Sequence, residues 1–125
     1  MPEYDSALFS PPAPVAKAML RNPDTGVTLA DIPMLIDSGA DVTLLPMPSV
    51  NILGIIPDVN QTFELTGFDG NRSAAQAVRA DLIFQRKTFK GNFLLINQEV
   101  GYIGRDILNH LSLTLDGPRL VWEMR

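Results

Sequence analysis

The apolar segments of the chain are short, and turn residues separate them. Turn-forming residues cluster at positions 22–26, 68–71 and 116–118, where the sequence is NPDTG, FDGN and DGP. Short apolar runs between such clusters are typical of β-strands, because Gly, Asn and Asp accept the backbone angles of tight turns. The pattern therefore predicts a mainly β domain.

From the N-terminus, the predicted strands comprise residues 15–21, 27–32, 34–36, 42–45, 61–66, 73–80, 81–85, 88–96, 113–115 and 120–122. The first two are expected to form a hairpin. Pro33 is expected to break the ladder after it, because proline has no N–H to donate, and this fits an edge or a bend better than a central strand. Residues 61–66 and 73–80 flank a Gly-containing tip, which is typical of a long hairpin.

Two short segments have helical features. Ile107, Leu108 and Leu111 recur at helical spacings, so residues 105–111 are predicted to form a helix. Ser49 as an N-cap and Gly54 as a stop indicate a second, shorter helix over residues 49–53. Because only the later segment has convincing periodicity, the predicted fold is an all-β, closed barrel with one short C-terminal helix.

Length and composition fit one domain with an N-terminal extension. The chain has 125 residues, of which 46% are apolar, and this is enough for a hydrophobic core. Prolines at positions 2, 11, 12 and 14 leave the start of the chain without a periodic apolar face. Residues 1–14 are therefore predicted to be a flexible Pro-rich arm, and residues 15–125 the folded domain.

Charge and cysteine content narrow the possible functions. The net charge of −4 has the wrong sign for a domain that holds nucleic-acid phosphates, so no nucleic-acid partner is expected. Every apolar run is far shorter than the ~20 residues that cross a bilayer, so no membrane span is expected. The absence of Cys and of a signal-like start favours a cytoplasmic location.

Aspartate is the residue type left to carry chemistry. The patterns of a phosphate-binding loop, a helical His pair and a Gly-x-Ser-x-Gly nucleophile are absent from the sequence. His110, the only imidazole, lies in the predicted helix without a nucleophile beside it, which favours a solvated or capping role.

Asp37 follows an apolar strand and begins a tight turn with Ser38 and Gly39. Burial disfavours the charged form of a carboxyl group, so this position suits acid–base chemistry. Gly39 is expected to adopt backbone angles that are closed to residues with a Cβ atom, and Ser38 offers a hydroxyl for hydrogen bonding. An ordinary turn is the alternative, since all three residue types are common in turns.

A second motif narrows this choice. Residues 103–108 (IGRDIL) run from an apolar strand through a glycine into the predicted helix. Together with residues 35–41 (LIDSGAD) and the Gly-tipped hairpin between them, they resemble the retropepsin-like, or retroviral-type, aspartic proteases. The resemblance covers about residues 15–116, and two motifs at the right separation are more specific than one triplet.

The resemblance implies a barrel of the acid-protease type and the activity of an aspartic endopeptidase. This chemistry uses two carboxylates about 3 Å apart that share one proton. The chain offers one such residue, Asp37, so the resemblance implies a homodimer in which each Asp37 faces its copy. The implied partners are a second subunit and a peptide or protein substrate, and no metal or organic cofactor is implied.

The resemblance also assigns roles around Asp37. The Ser38 hydroxyl is expected to tie the two catalytic loops together, and an Asp41–Arg105 ion pair to join the loop to the helix start. The hairpin over about residues 63–78 corresponds to a flap that closes over substrate. The resemblance implies that the catalytic residues are Asp37, Ser38 and Gly39. The residues that it implies for substrate binding are Ala40, Asp41, Gly67, Phe68, Asp69 and Gly70. Those that it implies for structural support are Gly104, Arg105 and Asp106.

Two departures from the family leave alternatives open. The hairpin tip is more acidic than the flaps of many relatives. The chain also continues into residues 119–125, an extra strand. In the viral dimers the chain termini form a sheet between the subunits, and the extra strand is able to form, displace or cover that interface. The main alternative function is a catalytically weak or inactive peptide-binding or dimerisation module on the same fold. Another is a fragment whose partner supplies the second carboxylate.

Overall fold

The structure is a computed structural model and describes residues 2–66, 70 and 72–125. Its elements in the described residues are β1 (Val15–Arg21), β2 (Thr28–Ile36), β3 (Leu44–Pro46), α1 (Met47–Ile52), β4 (Asp58–Thr66), β5 (Arg72–Phe84), β6 (Lys87–Ile96), β7 (Gly101–Ile103), α2 (Arg105–Leu108), β8 (Leu113–Asp116) and β9 (Val121–Met124). No helix in these residues is long and apolar enough to cross a membrane.

Most of the strands form one closed sheet. The strands are hydrogen-bonded in the order β1-β2-β7-β3-β6-β5, and β5 pairs back with β1 to close the ring. β4 lies outside the ring and pairs with β5, while β8 and β9 form a separate hairpin. The predicted all-β closed barrel is therefore confirmed.

Alternation along the strands fills the barrel interior. In β1, Ala16, Ala18 and Leu20 are buried while Lys17 is exposed, as expected for a strand with one face toward the core. Trp122 of β9 is buried, and its ring stacks on Phe84 with centroids 5.9 Å apart. The packing of Trp122 fixes the C-terminal hairpin against the barrel.

Two strands of the barrel bring the sequence motifs together. β2 runs parallel to β7, with Ile36 beside Ile103. Because parallel strands end at the same edge of a sheet, the residues that follow them, Asp37 and Gly104, lie side by side. The barrel topology therefore joins two segments that are far apart in the chain.

Several element boundaries differ from the sequence-based prediction. α1 begins at Met47 and not at Ser49, because Pro48 has the fixed φ that suits a first helical turn. Gly54 ends this helix as predicted, with a φ of +69°. α2 ends at Leu108, three residues early, because the following turn is closed by tight bonds such as Leu111 N–H to the Leu108 carbonyl.

Pro33 does not break β2. It pairs with Lys17 of β1, and β7 pairs with β2 only from Met34 onward. Pro33 therefore has a neighbouring strand on one side, and its missing N–H is tolerated at an edge position. The predicted interruption of the ladder at Pro33 was wrong, whereas the edge position expected for Pro33 is confirmed.

The N-terminal arm lies beside the C-terminal hairpin. Glu3 bridges Val121 of β9, Asp5 bridges Ala13, and Tyr4 packs against the core. The flexibility of residues 1–14 stays a prediction, and these contacts show where residues 2–5 lie when the arm is docked.

Candidate active site

Asp37 stands at the point where β2 leaves the barrel. Its backbone N–H donates to the Ile103 carbonyl at 3.0 Å, which continues the β2–β7 pairing by one residue. The side chain is half-buried, and its Oδ1 atom accepts the Gly39 N–H at 2.9 Å. Among the described residues no donor bonds the other carboxylate oxygen. Asp37 therefore presents one oriented oxygen and one that is free for chemistry.

Gly39 is required for space and not for its backbone angles. Its φ lies outside the left-handed region, so the predicted conformational role was wrong. A Cβ atom at this position would lie 3.1 Å from Asp37 Oδ1, which is tighter than most real Cβ contacts. Any larger residue here would push the Asp37 carboxylate by a few tenths of an ångström, so glycine favours the observed Gly39 N–H to Asp37 Oδ1 contact.

Ser38 is exposed at the tip of the turn. Its backbone carbonyl accepts a hydrogen bond from Arg105 Nη1 at 2.8 Å. Within the described residues of one chain its hydroxyl has no hydrogen-bond partner. The predicted contact of this hydroxyl with a second catalytic loop stays a prediction, because it requires a second subunit.

Gly104 lets the second motif touch the Asp37 loop. A Cβ atom here would lie 2.6 Å from the backbone of Val42 and 2.9 Å from the Ala40 carbonyl. The next residue, Arg105, donates its N–H to that same Ala40 carbonyl at 2.8 Å. The close approach that glycine permits is what holds the loop against the start of α2.

The Arg105 side chain binds the loop differently from the prediction. The salt bridges among the described residues do not include Asp41 with Arg105, so the predicted ion pair was wrong. Arg105 reaches the Ser38 carbonyl instead, and Asp41 is exposed. The guanidinium group thus satisfies a backbone acceptor of the turn, and the Asp41 carboxylate is left to face the cleft.

Thr43 is a structural residue of the site that the sequence analysis missed. It is fully buried, and its hydroxyl donates to Asp106 Oδ1 at 2.7 Å and accepts the Gly104 N–H at 3.1 Å. Its backbone N–H donates to Asp106 Oδ2 at 3.1 Å. A lone polar residue within the apolar run 42–45 was the available signal, since a buried hydroxyl needs partners.

Asp106 connects three backbone and side-chain groups near the site. Its Oδ1 atom also accepts the Ile107 N–H at 2.9 Å, so one carboxylate bonds both α2 and the chain leading into β3. Together with Gly104 and Arg105, it links the two motifs by hydrogen bonds alone. The supporting role of this triplet stays a prediction, and these contacts are the ones through which it would act.

A cleft of about 460 Å³ opens beside Asp37. Its walls are mostly apolar and come from the Asp37 loop, from β3, and from β4, β6 and β7. The lining residues are Asp37, Gly39, Ala40, Asp41, Val42, Leu44, Leu65, Thr66, Ile96 and Tyr102. A cleft of about 640 Å³ between the arm and the barrel is larger. That larger cleft is also lined by carboxylates, so the turn at Asp37 in the first sequence motif, and neither volume nor acidity, singles out the Asp37 cleft.

The predicted flap falls on the β4–β5 hairpin. These strands pair antiparallel from Thr62 beside Gln76 to Thr66 beside Arg72, so a long hairpin overhangs the cleft through Leu65 and Thr66. Gly70 is exposed with a φ of +79°, as a tight turn requires. Three residues predicted to contact substrate, Gly67, Phe68 and Asp69, lie outside the described residues.

Solved structures with the same architecture are viral proteases. The EIAV protease complexed with the inhibitor HBY-793 aligns with a TM-score of 0.60 and 19% identity, over 78% of this chain and 86% of that chain. The chain has the retroviral protease fold. The solution structure of the simian foamy virus (mac) protease also aligns, with a TM-score of 0.53 and 14% identity, over 77% of this chain and 92% of that chain.

The similarity of this chain to retroviral proteases is seen in the comparison of structures. No protein-family model matches the chain, and no curated protein matches it either. The sequence motifs at residues 35–41 and 103–108 are the local features that this fold brings together. In the retroviral protease fold of this chain, Asp37 lies at the floor of the cleft.

Proposed function

We propose that the protein is an aspartic endopeptidase that acts as a homodimer, with Asp37 of each subunit in one active site. The observation that carries the proposal is the Asp37 carboxylate, fixed by the Gly39 N–H, in a cleft of a retroviral protease fold. The chain provides no second residue in the same setting. A twofold axis beside Asp37 supplies the second carboxylate from an identical subunit.

The reaction follows from two carboxylates that share one proton. The charged Asp37 takes a proton from a bound water while the water oxygen attacks the carbonyl carbon of the scissile peptide bond. The protonated Asp37 passes its proton to the carbonyl oxygen, which gives a neutral tetrahedral intermediate. Its collapse breaks the C–N bond, and the leaving amine takes up a proton from the carboxyl pair.

The cleft suits an extended peptide with apolar side chains. Its walls include Leu44, Leu65, Ile96 and Tyr102, which would bury such side chains on binding. β4 is the last strand in the sheet order and has a free outer edge in the described residues. A peptide can add a strand there through main-chain hydrogen bonds, which bind without regard to sequence.

The alternative is a module of the same fold that binds peptide or dimerises without cutting. The exposed, unpaired Ser38 hydroxyl and the single Asp37 of one chain are compatible with both functions. They differ in whether peptide bonds are broken, so a cleavage assay separates them.

The proposal is tested on purified protein with a mixed peptide library, from acid to neutral pH. Wild-type protein is expected to cleave, and Asp37→Asn to lose activity while still forming dimers. Asp24→Asn is the matched control, because Asp24 is an exposed carboxylate in the turn after β1 and does not line the Asp37 cleft. Equal cleavage by wild type and Asp37→Asn would refute the proposal, and peptide binding without cleavage would favour the module.

A further inference from the structure

A cleft of about 640 Å³ lies between the docked arm and the barrel. Residues of the arm and of the β1–β2 hairpin line it, together with Gln85 of the β5–β6 turn and Trp122 of β9. It shares no lining residue with the Asp37 cleft. The active site proposed above therefore does not account for this second cleft.

Backbone hydrogen bonds hold the arm beside the second cleft. Tyr4 donates its N–H to the Leu120 carbonyl at 2.8 Å, and Asp5 and Ala13 exchange two hydrogen bonds at 2.7 and 3.0 Å. The second pair closes the arm into a loop. Leu8, within this loop, lines the cleft and is 55% exposed. The docked arm therefore offers an apolar side chain that a ligand can cover.

Carboxylates dominate the charge of the second cleft. Its lining includes three of them, Glu3, Asp5 and Asp31, against one basic side chain, Lys17. Glu3 and Asp31 are exposed, and among the described residues they form no ion pair and no side-chain hydrogen bond. The basic side chains of the β5–β6 turn do not line the cleft. The cleft therefore attracts cationic groups.

A β-bulge sets the position of Asp31. β1 and β2 pair at Ala18 with Ile32 and again at Leu20 with Leu29, so two residues of β2 lie opposite one residue of β1. Asp31 has a φ of +59°, which Asp accepts more readily than most residues. Bulges redirect side chains from the regular alternation of a strand. This bulge accompanies the placement of the Asp31 carboxylate in the lining of the cleft.

A buried donor without an acceptor is the second, independent observation. Trp122 lines the cleft and is 1% exposed, and its indole N–H has no hydrogen-bond partner among the described residues. A buried N–H without a partner costs free energy, so a ligand that brings an oxygen acceptor to Trp122 recovers that cost. The ligand is therefore expected to carry an acceptor as well as cationic groups.

We infer that the second cleft binds an extended peptide segment of another protein, rich in arginine and lysine. Its basic side chains pair with the carboxylates, and one of its backbone carbonyls accepts the Trp122 indole N–H. A metal ion or a polyamine has no such acceptor. Among the described residues no three carboxylates are grouped closely enough to hold a metal ion, so the charges suit cationic groups spread along a chain. The inference does not rest on the proposed protease activity.

NMR spectroscopy tests the site, because the chain contains a single Trp and therefore a single indole N–H resonance. The probe is a peptide of alternating arginine and alanine with blocked termini. It is titrated into ¹⁵N-labelled Asp37→Asn protein, so that it stays intact whether or not wild type is a protease. The indole proton is expected to shift saturably to lower field as it gains an acceptor. A peptide with glutamate in place of arginine, and the polyamine spermine, are expected not to produce this shift.

Removal of charge tests the carboxylates independently. The double variant Glu3→Gln, Asp31→Asn, in the same Asp37→Asn protein, is expected to raise the dissociation constant of the peptide about tenfold, as for two partly exposed ion pairs. The matched control is Asp24→Asn with Glu99→Gln, which removes the same charge at exposed positions outside the cleft. At physiological salt the control is expected to change the constant less than about twofold. Circular dichroism checks that both double variants are folded.

The outcomes decide the inference separately from catalysis. A saturable indole shift that needs Glu3 and Asp31 would support the second site, whether or not wild type cleaves peptides. The inference would be overturned if the indole did not respond, if spermine produced the same shift, or if both double variants weakened binding alike. Shifts confined to amides around Asp37, such as that of Gly39, would place the peptide in the candidate active site and would also overturn it.

Discussion

Replacement of Thr43 by valine tests whether the two motifs are joined by the buried hydroxyl. Valine keeps the shape of threonine but has no hydroxyl. Thr43→Val therefore removes the donor to Asp106 Oδ1 at 2.7 Å and the acceptor of the Gly104 N–H at 3.1 Å. The Gly104 N–H is left buried without a partner.

The expected loss of stability can be worked from these two contacts. A hydrogen bond to a charged group contributes about 1.5–3 kcal/mol, and a buried unsatisfied N–H costs about 1–3 kcal/mol. Asp106 is exposed and recovers part of its bond from water, so about 1.5 kcal/mol applies to that bond, and the buried Gly104 N–H adds about 1.5 kcal/mol from the lower half of its range. The free energy of unfolding is expected to fall by about 3 kcal/mol, which lowers the Tm by roughly 12 °C for a domain of this size.

Thr43→Ser is the matched control, because it keeps the hydroxyl and loses one buried methyl group at a cost of about 1 kcal/mol. Unfolding in urea is followed at one fixed protomer concentration, since the stability of a dimer depends on concentration. If Thr43→Val and Thr43→Ser were equally stable, the hydroxyl would not join the motifs, and this account of the site would be wrong.

Three further predictions concern packing, ion pairs and pH. Gly104→Ala places a Cβ atom 2.6 Å from the Val42 backbone and is expected to lower the free energy of unfolding by about 3 kcal/mol or more. Gly117→Ala places its Cβ atom in open space and is expected to lower it by less than about 1 kcal/mol in the same urea assay. Arg21→Met leaves the nearly buried Asp81 without its ion-pair partner at 2.9 Å and is expected to lower the free energy of unfolding by about 2 kcal/mol, measured by thermal unfolding. Arg79→Met removes the exposed Arg79–Asp24 pair and is expected to cost about 0.5 kcal/mol or less. Equal effects of the two variants would contradict the role of burial. The rate of peptide cleavage is expected to fall on both sides of an optimum pH, because the carboxyl pair needs one shared proton, and a flat profile would contradict the dyad.

The barrel and the position of Asp37 were predictable from the sequence. Short strands with alternating burial and turn residues at their ends predict a β fold, and the structure places them in one closed sheet. The motifs around Asp37 and Gly104 were expected to meet because the family resemblance implied a contact between the Asp37 loop and the start of the second helix. The parallel pairing of Ile36 with Ile103 is how the fold brings them together.

The contacts within the site were less predictable, because they depend on distances of a few ångströms. The resemblance paired Arg105 with Asp41. Only the structure shows that the guanidinium group bonds the Ser38 carbonyl instead. Glycine at position 39 allows a close contact with the Asp37 carboxylate. A sequence alone does not show whether a glycine is needed for such a contact or for unusual backbone angles. Thr43 has no motif of its own, and its structural role appears only when its hydrogen-bond partners, Gly104 and Asp106, are known.

The central claim is that two Asp37 side chains, one from each subunit, form a single active site. Wild type and Asp37→Asn are mixed in equal amounts, unfolded, refolded together so that subunits pair at random, and assayed for peptide cleavage at a fixed total protomer concentration. Random pairing about a twofold axis leaves about one quarter of the dimers with both aspartates, so the account predicts about one quarter of the activity of wild type alone. Retention of about one half of that activity would mean that each subunit works by itself and would contradict the shared site.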